Sequence, residues 1–263
     1  MRSFWKGFLI FFFLFFSFQN LQAQKLILYT ENDSYGKIGQ EKRFILARGE
    51  PAFANFLDLK VPYKYFLITP KRDKRKITLY RRTLYDPWFN TPRIAYEIKI
   101  KPEEKGDYLL CIEGEDALTY EGKLEKSFTK TVFHVEKEGV WDNLCGFPLE
   151  IKPLTRPYGI KKGALFRGQI LLEGKPVKEA ELEIERLRLK LNLEELPKDS
   201  TGEINVPLYQ KKIKTDERGY FYTNFEEEGW WVITAKVLRG VKVYGNKTYP
   251  FQLQANLWIY VYP

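Results

Sequence analysis

Apolar and polar residues alternate along most of the chain, and this period of two constrains the fold more than any other feature. Residues 93–101 place four apolar side chains on one face and mostly charged side chains on the other. Residues 251–262 alternate in the same way near the C-terminus. Because successive side chains of a β-strand point to opposite faces, the pattern is typical of half-buried strands. The sequence therefore predicts an all-β protein with very little helix.

One leucine-rich segment invites a helical interpretation, but its period is also two. Leu182 and Ile184 alternate with charged residues, and four leucines at 187–193 alternate with the opposite parity. A strand with a bulge at Glu185–Arg186 explains this single change of parity. We expect a short helical turn at 193–196 and a polar loop at 197–207, which contains Gly and two Pro.

Length and turn signals predict two domains. The chain has 263 residues, and a domain has about 100–200. Frequent short strands separated by Gly, Pro and Asp turns favour β-sandwiches. The strand pattern is interrupted between residues 142 and 153. We therefore predict two Ig-like or transthyretin-like β-sandwich domains in tandem, at 24–147 and 148–263, after a signal peptide at 1–23.

The N-terminus reads as an export signal. Arg2 and Lys6 precede an apolar run of about eleven residues, and a polar segment then ends in a small residue, Ala23. We predict cleavage after Ala23; the alternative is an uncleaved anchor. Later segments are too short or too polar to cross a membrane. We expect a periplasmic or secreted protein, with no nucleic acid partner and no integral membrane segment after cleavage.

Charge and cysteine usage fit export. The formal net charge is +9, but acidic residues are interleaved with the basic ones. The densest basic run, at 71–76, reads as a solvated hairpin tip, or else as a contact for an acidic partner or an anionic lipid surface. Cys111 and Cys145 are the only cysteines. In an exported chain they predict a disulfide, since their separation lacks the close spacing of metal ligands.

The second half has an internal plan of turns. Residues 168–180 read as strand, tight turn and strand, with Gly174 in the turn. Residues 214–221 read as a second hairpin, in which Asp216 is a turn former. This order resembles the transthyretin-like and carboxypeptidase-regulatory-like sandwiches of exported proteins, a resemblance that concerns the fold and not the function.

A more specific resemblance rests on spaced motifs: PLEIKPLTRPYG at 148–159, GALFRG at 163–168, GKPV at 174–177 and GWW at 229–231. The chain resembles the exported domain-of-unknown-function family 4198. Members are described as periplasmic accessory components of nickel or cobalt uptake by transporters of the energy-coupling-factor type. The resemblance thus implies a membrane metal-transporter complex as partner, and it singles out the following residues: Lys130, Arg156, Tyr158, Trp230 and Trp231.

These motif residues also have structural interpretations. Arg156 can bind a carboxylate, and Tyr158 can offer its hydroxyl to the same network. Trp230 and Trp231 point to opposite faces of a strand. We expect one to fill the core and the other to pack between the domains.

The chain departs from the family in its histidines. Related proteins carry several, but His134 is the only one here. Ser127 stands where the family tends to have His, and the predicted mature start is Gln24. His134 is either an ordinary polar-face residue or part of a transient nickel or cobalt site with Glu136 or Asp142. A multi-histidine zinc site within one chain is excluded.

No catalytic pattern stands out, and we predict a non-enzymatic protein. Its serines lie outside any nucleophile-elbow motif, and its glycines form no phosphate-binding loop. The leading hypothesis is an exported accessory or binding protein associated with nickel or cobalt uptake. The alternative is a structural or adhesive Ig-like module that binds a protein or saccharide through aromatic strand faces, for which the candidates are Trp258, Tyr260 and Tyr262.

Overall fold

The computed structural model describes residues 24–190, 198, 200–202 and 210–263. The predicted signal peptide, the predicted helical turn at 193–196 and most of the predicted loop at 197–207 lie outside these residues. Within them the regular structure comprises twenty strands and one short 3-10 helix, Pro51–Phe53. The all-β prediction is confirmed. No helix in these ranges is long and apolar enough to cross a membrane.

The strands are numbered in chain order. The first eleven are β1 (Lys25–Tyr29), β2 (Tyr35–Gly36), β3 (Lys42–Glu50), β4 (Asn55–Leu57), β5 (Lys64–Ile68), β6 (Lys74–Lys76), β7 (Leu79–Asp86), β8 (Thr91–Ile100), β9 (Gly106–Glu113), β10 (Ala117–Leu118) and β11 (Leu124–Val135). The other nine are β12 (Leu149–Pro153), β13 (Ile160–Lys161), β14 (Leu165–Leu172), β15 (Lys175–Pro176), β16 (Glu181–Arg186), β17 (Gln210–Lys214), β18 (Tyr220–Asn224), β19 (Gly229–Tyr244) and β20 (Lys247–Tyr262).

A large central sheet organises the molecule. Its main path runs β17-β16-β19-β20-β11-β9-β5-β6, with β2 and β10 attached to β11 and β13 attached to β20. A sheet of β1, β3, β4, β7 and β8 packs on one face, and a sheet of β12, β14, β15 and β18 packs on the other. The described part of the protein therefore has three β-layers and two hydrophobic cores.

The two cores lie on opposite faces of the central sheet. The first contains Phe128 of β11, Phe166 of β14 and Trp231 of β19. The second contains Leu28 of β1, Phe133 of β11 and Trp258 of β20. Strands such as β11 and β20 therefore contribute side chains to both cores, which half-buried strands of a single sandwich would not do.

The central sheet passes through the predicted boundary at 147/148. Residues before the boundary supply β6, β5, β9 and β11, and residues after it supply β20, β19, β16 and β17. The two sets meet where Leu124–Thr131 of β11 pair in parallel with Phe251–Trp258 of β20. Each half contributes one outer sheet, and each outer sheet covers central-sheet side chains from both halves.

Some local predictions agree with the observed strands, and others do not. The alternation at 93–101 falls on β8, and the turn at Gly174 joins paired strands, β14 and β15. Of the strand predicted at 181–193, β16 ends at Arg186 and residues 187–190 are not in a strand, while 191–193 lie outside the described residues. The hairpin predicted at 214–221 is wrong, since β17 pairs with β16 and β18 pairs with β14. Asp216 is still a turn former: its Oδ1 accepts the backbone N–H groups of Arg218 and Tyr220.

An ion-pair network ties the first strand to the second half. Lys25 is fully buried, and its Nζ lies 2.8 Å from Glu185 and 3.2 Å from Glu183, both on β16. Lys236 of β19 also binds Glu183, at 2.7 Å. Burial opposes ionisation of Glu183, but Lys25 and Lys236 together lower its pKa to about 2. Strand β1 is therefore fixed on the central sheet by charge as well as by packing.

Candidate functional site

His134 and Asp107 form a directly paired couple on neighbouring strands of the central sheet. The register of β11 against β9 places the two residues opposite each other. The His134 Nδ1 lies 2.8 Å from Asp107 Oδ1, and Asp107 is fully buried. A carboxylate that holds one ring nitrogen fixes the orientation and tautomer of an imidazole. The His134 Nε2 is therefore the atom left to meet a ligand.

The second oxygen of Asp107 is also satisfied. Its Oδ2 accepts a hydrogen bond from the backbone N–H of Gly139 at 2.7 Å and another from the Tyr158 hydroxyl at 3.0 Å. A buried carboxylate is stable only when such donors replace its lost water. Asp107, His134, Gly139 and Tyr158 together are called the His134 cluster below. The cluster connects β9 and β11 to two segments, one before β12 and one after it.

Tyr158 covers the imidazole. The two rings stack with centroids 4.4 Å apart and planes 17° from parallel. Burial raises the pKa of the Tyr158 hydroxyl, and the negative charge of Asp107 raises it further. The hydroxyl therefore remains a protonated donor toward Asp107. The ring of Tyr35 on β2 also lies near His134, with the ring centroids 5.9 Å apart.

Arg156 and Glu138 form the outer rim of the His134 cluster. The Arg156 guanidinium lies over the Tyr158 ring at 5.1 Å, and one of its nitrogens binds Glu138 at 2.9 Å. Trp141 donates its indole N–H to the other oxygen of Glu138. Hydrogen bonds from Trp141 and Arg156 lower the pKa of Glu138. Because Arg156 and Glu138 are exposed, their ion pair adds little stability.

The structure does not assemble the three predicted metal ligands. Glu136 binds Lys105 at 3.1 Å, and this hydrogen bond lowers its pKa. Asp142 is an exposed residue in the turn after Trp141. In the ranges that the structure describes, no group of three His, Cys, Asp or Glu residues could hold a metal ion. The acidic residue beside His134 is instead Asp107, whose carboxylate already interacts with three hydrogen-bond donors.

Lys130 is buried in the core, on the same strand as His134. Its Nζ lies 3.9 Å from Glu150 Oε1 and has no hydrogen-bond partner among the described residues. Burial lowers the pKa of the Lys130 ammonium, and Glu150 opposes that shift. The same Glu150 oxygen accepts the backbone N–H of Cys145 at 2.7 Å. The position singled out by the family resemblance thus lies close to the disulfide loop.

The predicted disulfide is confirmed. Cys111 of β9 and Cys145 are bonded, with their Cα atoms 5.9 Å apart. Both residues are buried in the core between the central sheet and the β12 sheet. The crosslink therefore anchors the segment before β12, which also carries Glu138 and Gly139, to the central sheet.

Trp230 and Trp231 point to opposite faces of β19, as predicted, and each packs in one of the two cores. Trp231 packs in the first core and donates its indole N–H to the carbonyl of Glu227. Trp230 packs in the second core and donates to the carbonyls of Thr30 and Asn32. Trp230 therefore joins β19 to the segment after β1. Both side chains are buried, so a ligand-stacking role is not supported.

The exposed aromatic face predicted near the C-terminus is wrong for Trp258. This side chain is fully buried and donates its indole N–H to the carbonyl of Leu26 at 3.0 Å. Tyr260 and Tyr262 are half-buried. The physical reason is that β20 lies inside the sheet, between β19 and β11, while β1 covers the face that alternation predicts to be open.

Sequence reasoning missed Asp107, Glu138 and Glu150. Asp107 was visible only as part of a Gly-Asp turn signal, and the other two were two acids among 34. Their importance depends on the β9–β11 register and on the path of the chain around the disulfide. Neither can be read from local spacing.

Comparison with known proteins places the chain in a family but leaves its function open. No curated protein matches it. Among solved structures, the Escherichia coli alpha-2-macroglobulin activated by porcine elastase has 13% identity and a TM-score of 0.27, with 91% of this chain and 20% of that chain covered. Salmonella alpha-2-macroglobulin reacted with methylamine has 12% identity and a TM-score of 0.29, with 91% and 15% covered.

The chain thus spans a fifth or less of these much longer proteins, and at these TM-scores the likeness carries no argument. The family match is different, because it covers most of the sequence. Residues 21–239 match a single family description, Domain of unknown function (DUF4198). The chain therefore belongs to the DUF4198 family.

Proposed function

We propose that this protein is an exported, non-enzymatic accessory protein of nickel or cobalt uptake. In this proposal His134 presents its imidazole to a metal ion in transit, and a membrane transporter complex supplies the remaining ligands. The observation that carries the proposal is the His134–Asp107 pair, in which the carboxylate holds Nδ1 at 2.8 Å. Metal-binding histidines almost always have such a partner on their other nitrogen.

The surroundings of His134 favour a shared site over a complete one. Both Asp107 oxygens already accept hydrogen bonds. Both Glu138 oxygens are engaged as well, with Trp141 and Arg156. A single imidazole binds nickel or cobalt weakly, and these metals prefer imidazole to isolated carboxylates. Weak binding suits an ion that is cargo and is passed on.

The rival proposal, an adhesive module with an aromatic strand face, is less well supported. Its largest candidate contact, Trp258, is buried beneath β1. The predicted export signal serves both proposals equally, whereas the family resemblance implies a transporter partner and His134 offers a contact for its metal.

The lone histidine permits a direct test by NMR. Because the chain has one His, the imidazole region of a spectrum of residues 24–263 reports on His134 alone. Nickel and cobalt are paramagnetic, and each should broaden these signals, while magnesium should not. The Glu136→Gln variant should behave like the wild type. Unchanged His134 signals at a large excess of nickel would refute the metal role.

A further inference from the structure

One end of the central sheet gathers exposed apolar side chains from several segments. Strand β11 begins at Leu124, beside Phe251 of β20. Strand β9 ends at Glu113, opposite the start of β5 at Lys64. The β19–β20 turn, the turn before β11 and the segment before β5 therefore lie at the same end, which we call the hairpin end.

The β19–β20 hairpin extends beyond the strands that flank it in the sheet, and one of its faces contacts the turn before β11 through Lys242 and Asp116. Outside the hairpin, β19 is paired with β16 as far as Ala235, and β20 is paired with β11 from Phe251 onward. Residues 241–244 pair only with 247–250 in the part of the chain that the structure describes. At about 3.3 Å per residue, this free ladder is roughly 13 Å long.

The projecting hairpin exposes aliphatic side chains. Val241 is 70% exposed and Val243 is 66% exposed, and Leu238 at the bulge is similarly open. Other exposed apolar residues lie near the base of the hairpin, namely Val61, Tyr63, Leu118 and Tyr120, and Tyr244 lies beside the hairpin turn. Clustered apolar surface of this kind marks a contact site in soluble proteins.

Basic residues predominate on the β19–β20 hairpin, while the turn before β11 adds Glu115, Asp116 and Glu121 to the hairpin end. No acidic residue occurs from 229 to 263, while this stretch carries Lys236, Arg239, Lys242 and Lys247. Arg239 and Lys242 bind Glu173 and Asp116, respectively. Across the described ranges, Lys247 makes no ion pair, and neither do Lys60 and Lys64 at the base, although Lys64 lies near the Phe66 ring. In the described ranges these three free ammonium groups outnumber the one exposed carboxylate of the turn before β11 that has no ion pair, Glu115.

We propose that the hairpin end binds the surface of an anionic lipid bilayer. Val241, Val243 and Leu238 enter the boundary between headgroups and acyl chains, and the ammonium groups contact lipid phosphates. Tyrosines at the base lie at headgroup level, where amphipathic rings are favoured. Interfacial elements enter a bilayer by about 5–10 Å, which the free ladder can span. The proposal rests on the proposed export of the chain but needs no metal.

A flotation assay tests the proposal with residues 24–263 and metal-free vesicles. The wild type should bind vesicles of phosphatidylglycerol mixed with phosphatidylcholine, and should bind phosphatidylcholine vesicles much less. The double variant Val241→Ser/Val243→Ser should bind about tenfold more weakly, which corresponds to about 1.4 kcal/mol. Because both side chains are solvent-exposed, the variant should fold normally. Leu165→Ser is the matched control, since Leu165 is 64% exposed on the β12 sheet.

Electrostatic perturbations give a second readout. Lys247→Glu should weaken binding to the anionic vesicles by about tenfold, because each basic residue near such a surface contributes to attraction. High salt should weaken wild-type binding as well. Equal binding by the wild type and the double variant would overturn the proposal. So would wild-type binding that requires a membrane protein in the vesicles, because the hairpin end would then be a protein-docking surface.

Discussion

Replacement of Tyr158 by Phe isolates one hydrogen bond of the His134 cluster. The Tyr158 hydroxyl donates to the buried Asp107 carboxylate at 3.0 Å. Hydrogen bonds to charged groups contribute about 1.5–3 kcal/mol. Phe retains the ring that stacks on His134, and Asp107 keeps its bonds to His134 and Gly139. We therefore expect the free energy of unfolding to fall by about 2 kcal/mol.

Urea unfolding of residues 24–263 measures this loss directly. Tyr120→Phe is the matched control, because Tyr120 is largely exposed and its variant should remain within about 0.5 kcal/mol of the wild type. If the two residues act through Asp107, Tyr158→Phe and His134→Gln should be non-additive when combined. A loss of less than about 0.5 kcal/mol in Tyr158→Phe would refute the reasoning, since the Asp107 contact would then contribute nothing measurable.

Three further predictions concern stability. Removal of the disulfide by Cys111→Ala/Cys145→Ala should cost about 4 kcal/mol for a loop of about 35 residues, measured by urea unfolding. Burial and the negative charge of Glu185 raise the pKa of Glu50 to about 7, although Lys25 opposes the shift. The stability that protonated Glu50 contributes is complete below its unfolded pKa of 4.5 and is lost as the pH rises through about 7. Wild type should therefore lose about 3 kcal/mol relative to Glu50→Gln between pH 4.5 and about pH 8 in a series of urea titrations. Lys25→Met leaves Glu185 buried without its ammonium partner and should cost about 3–5 kcal/mol, seen as a lower Tm; an unchanged Tm would contradict the role assigned to Lys25.

Local features of the fold could be predicted from the sequence because they depend on residues that are close together in the chain. The alternation at 93–101 predicts β8, and Asp216 forms the turn expected from its sequence context. The disulfide followed from the predicted export of the chain and from the presence of only two cysteines. The first two features depend on residues that are close in sequence, and two cysteines allow only one intrachain pairing. No knowledge of the tertiary fold was therefore needed.

Long-range features could not be predicted from local sequence patterns. The parallel pairing of β11 with β20 joins residues more than a hundred positions apart. It makes β20 an interior strand, which is why Trp258 is buried although alternation predicts an open face. The candidate site has the same origin. Sequence reasoning expected Tyr158 to join a carboxylate network, but the β9–β11 register determines that this carboxylate is Asp107.

The shared sheet makes the two halves of the chain physically interdependent. Without residues before the boundary at 147/148, β20 would lose its partner β11, and eight residue pairs would become an unpaired sheet edge. Trp258 and Trp230 would lose the cover that β1 and its following segment provide. Glu183 and Glu185 would lose the Lys25 ammonium. Exposed edges and large apolar faces favour aggregation, so we expect the second half to be stable only when the first half has docked against it.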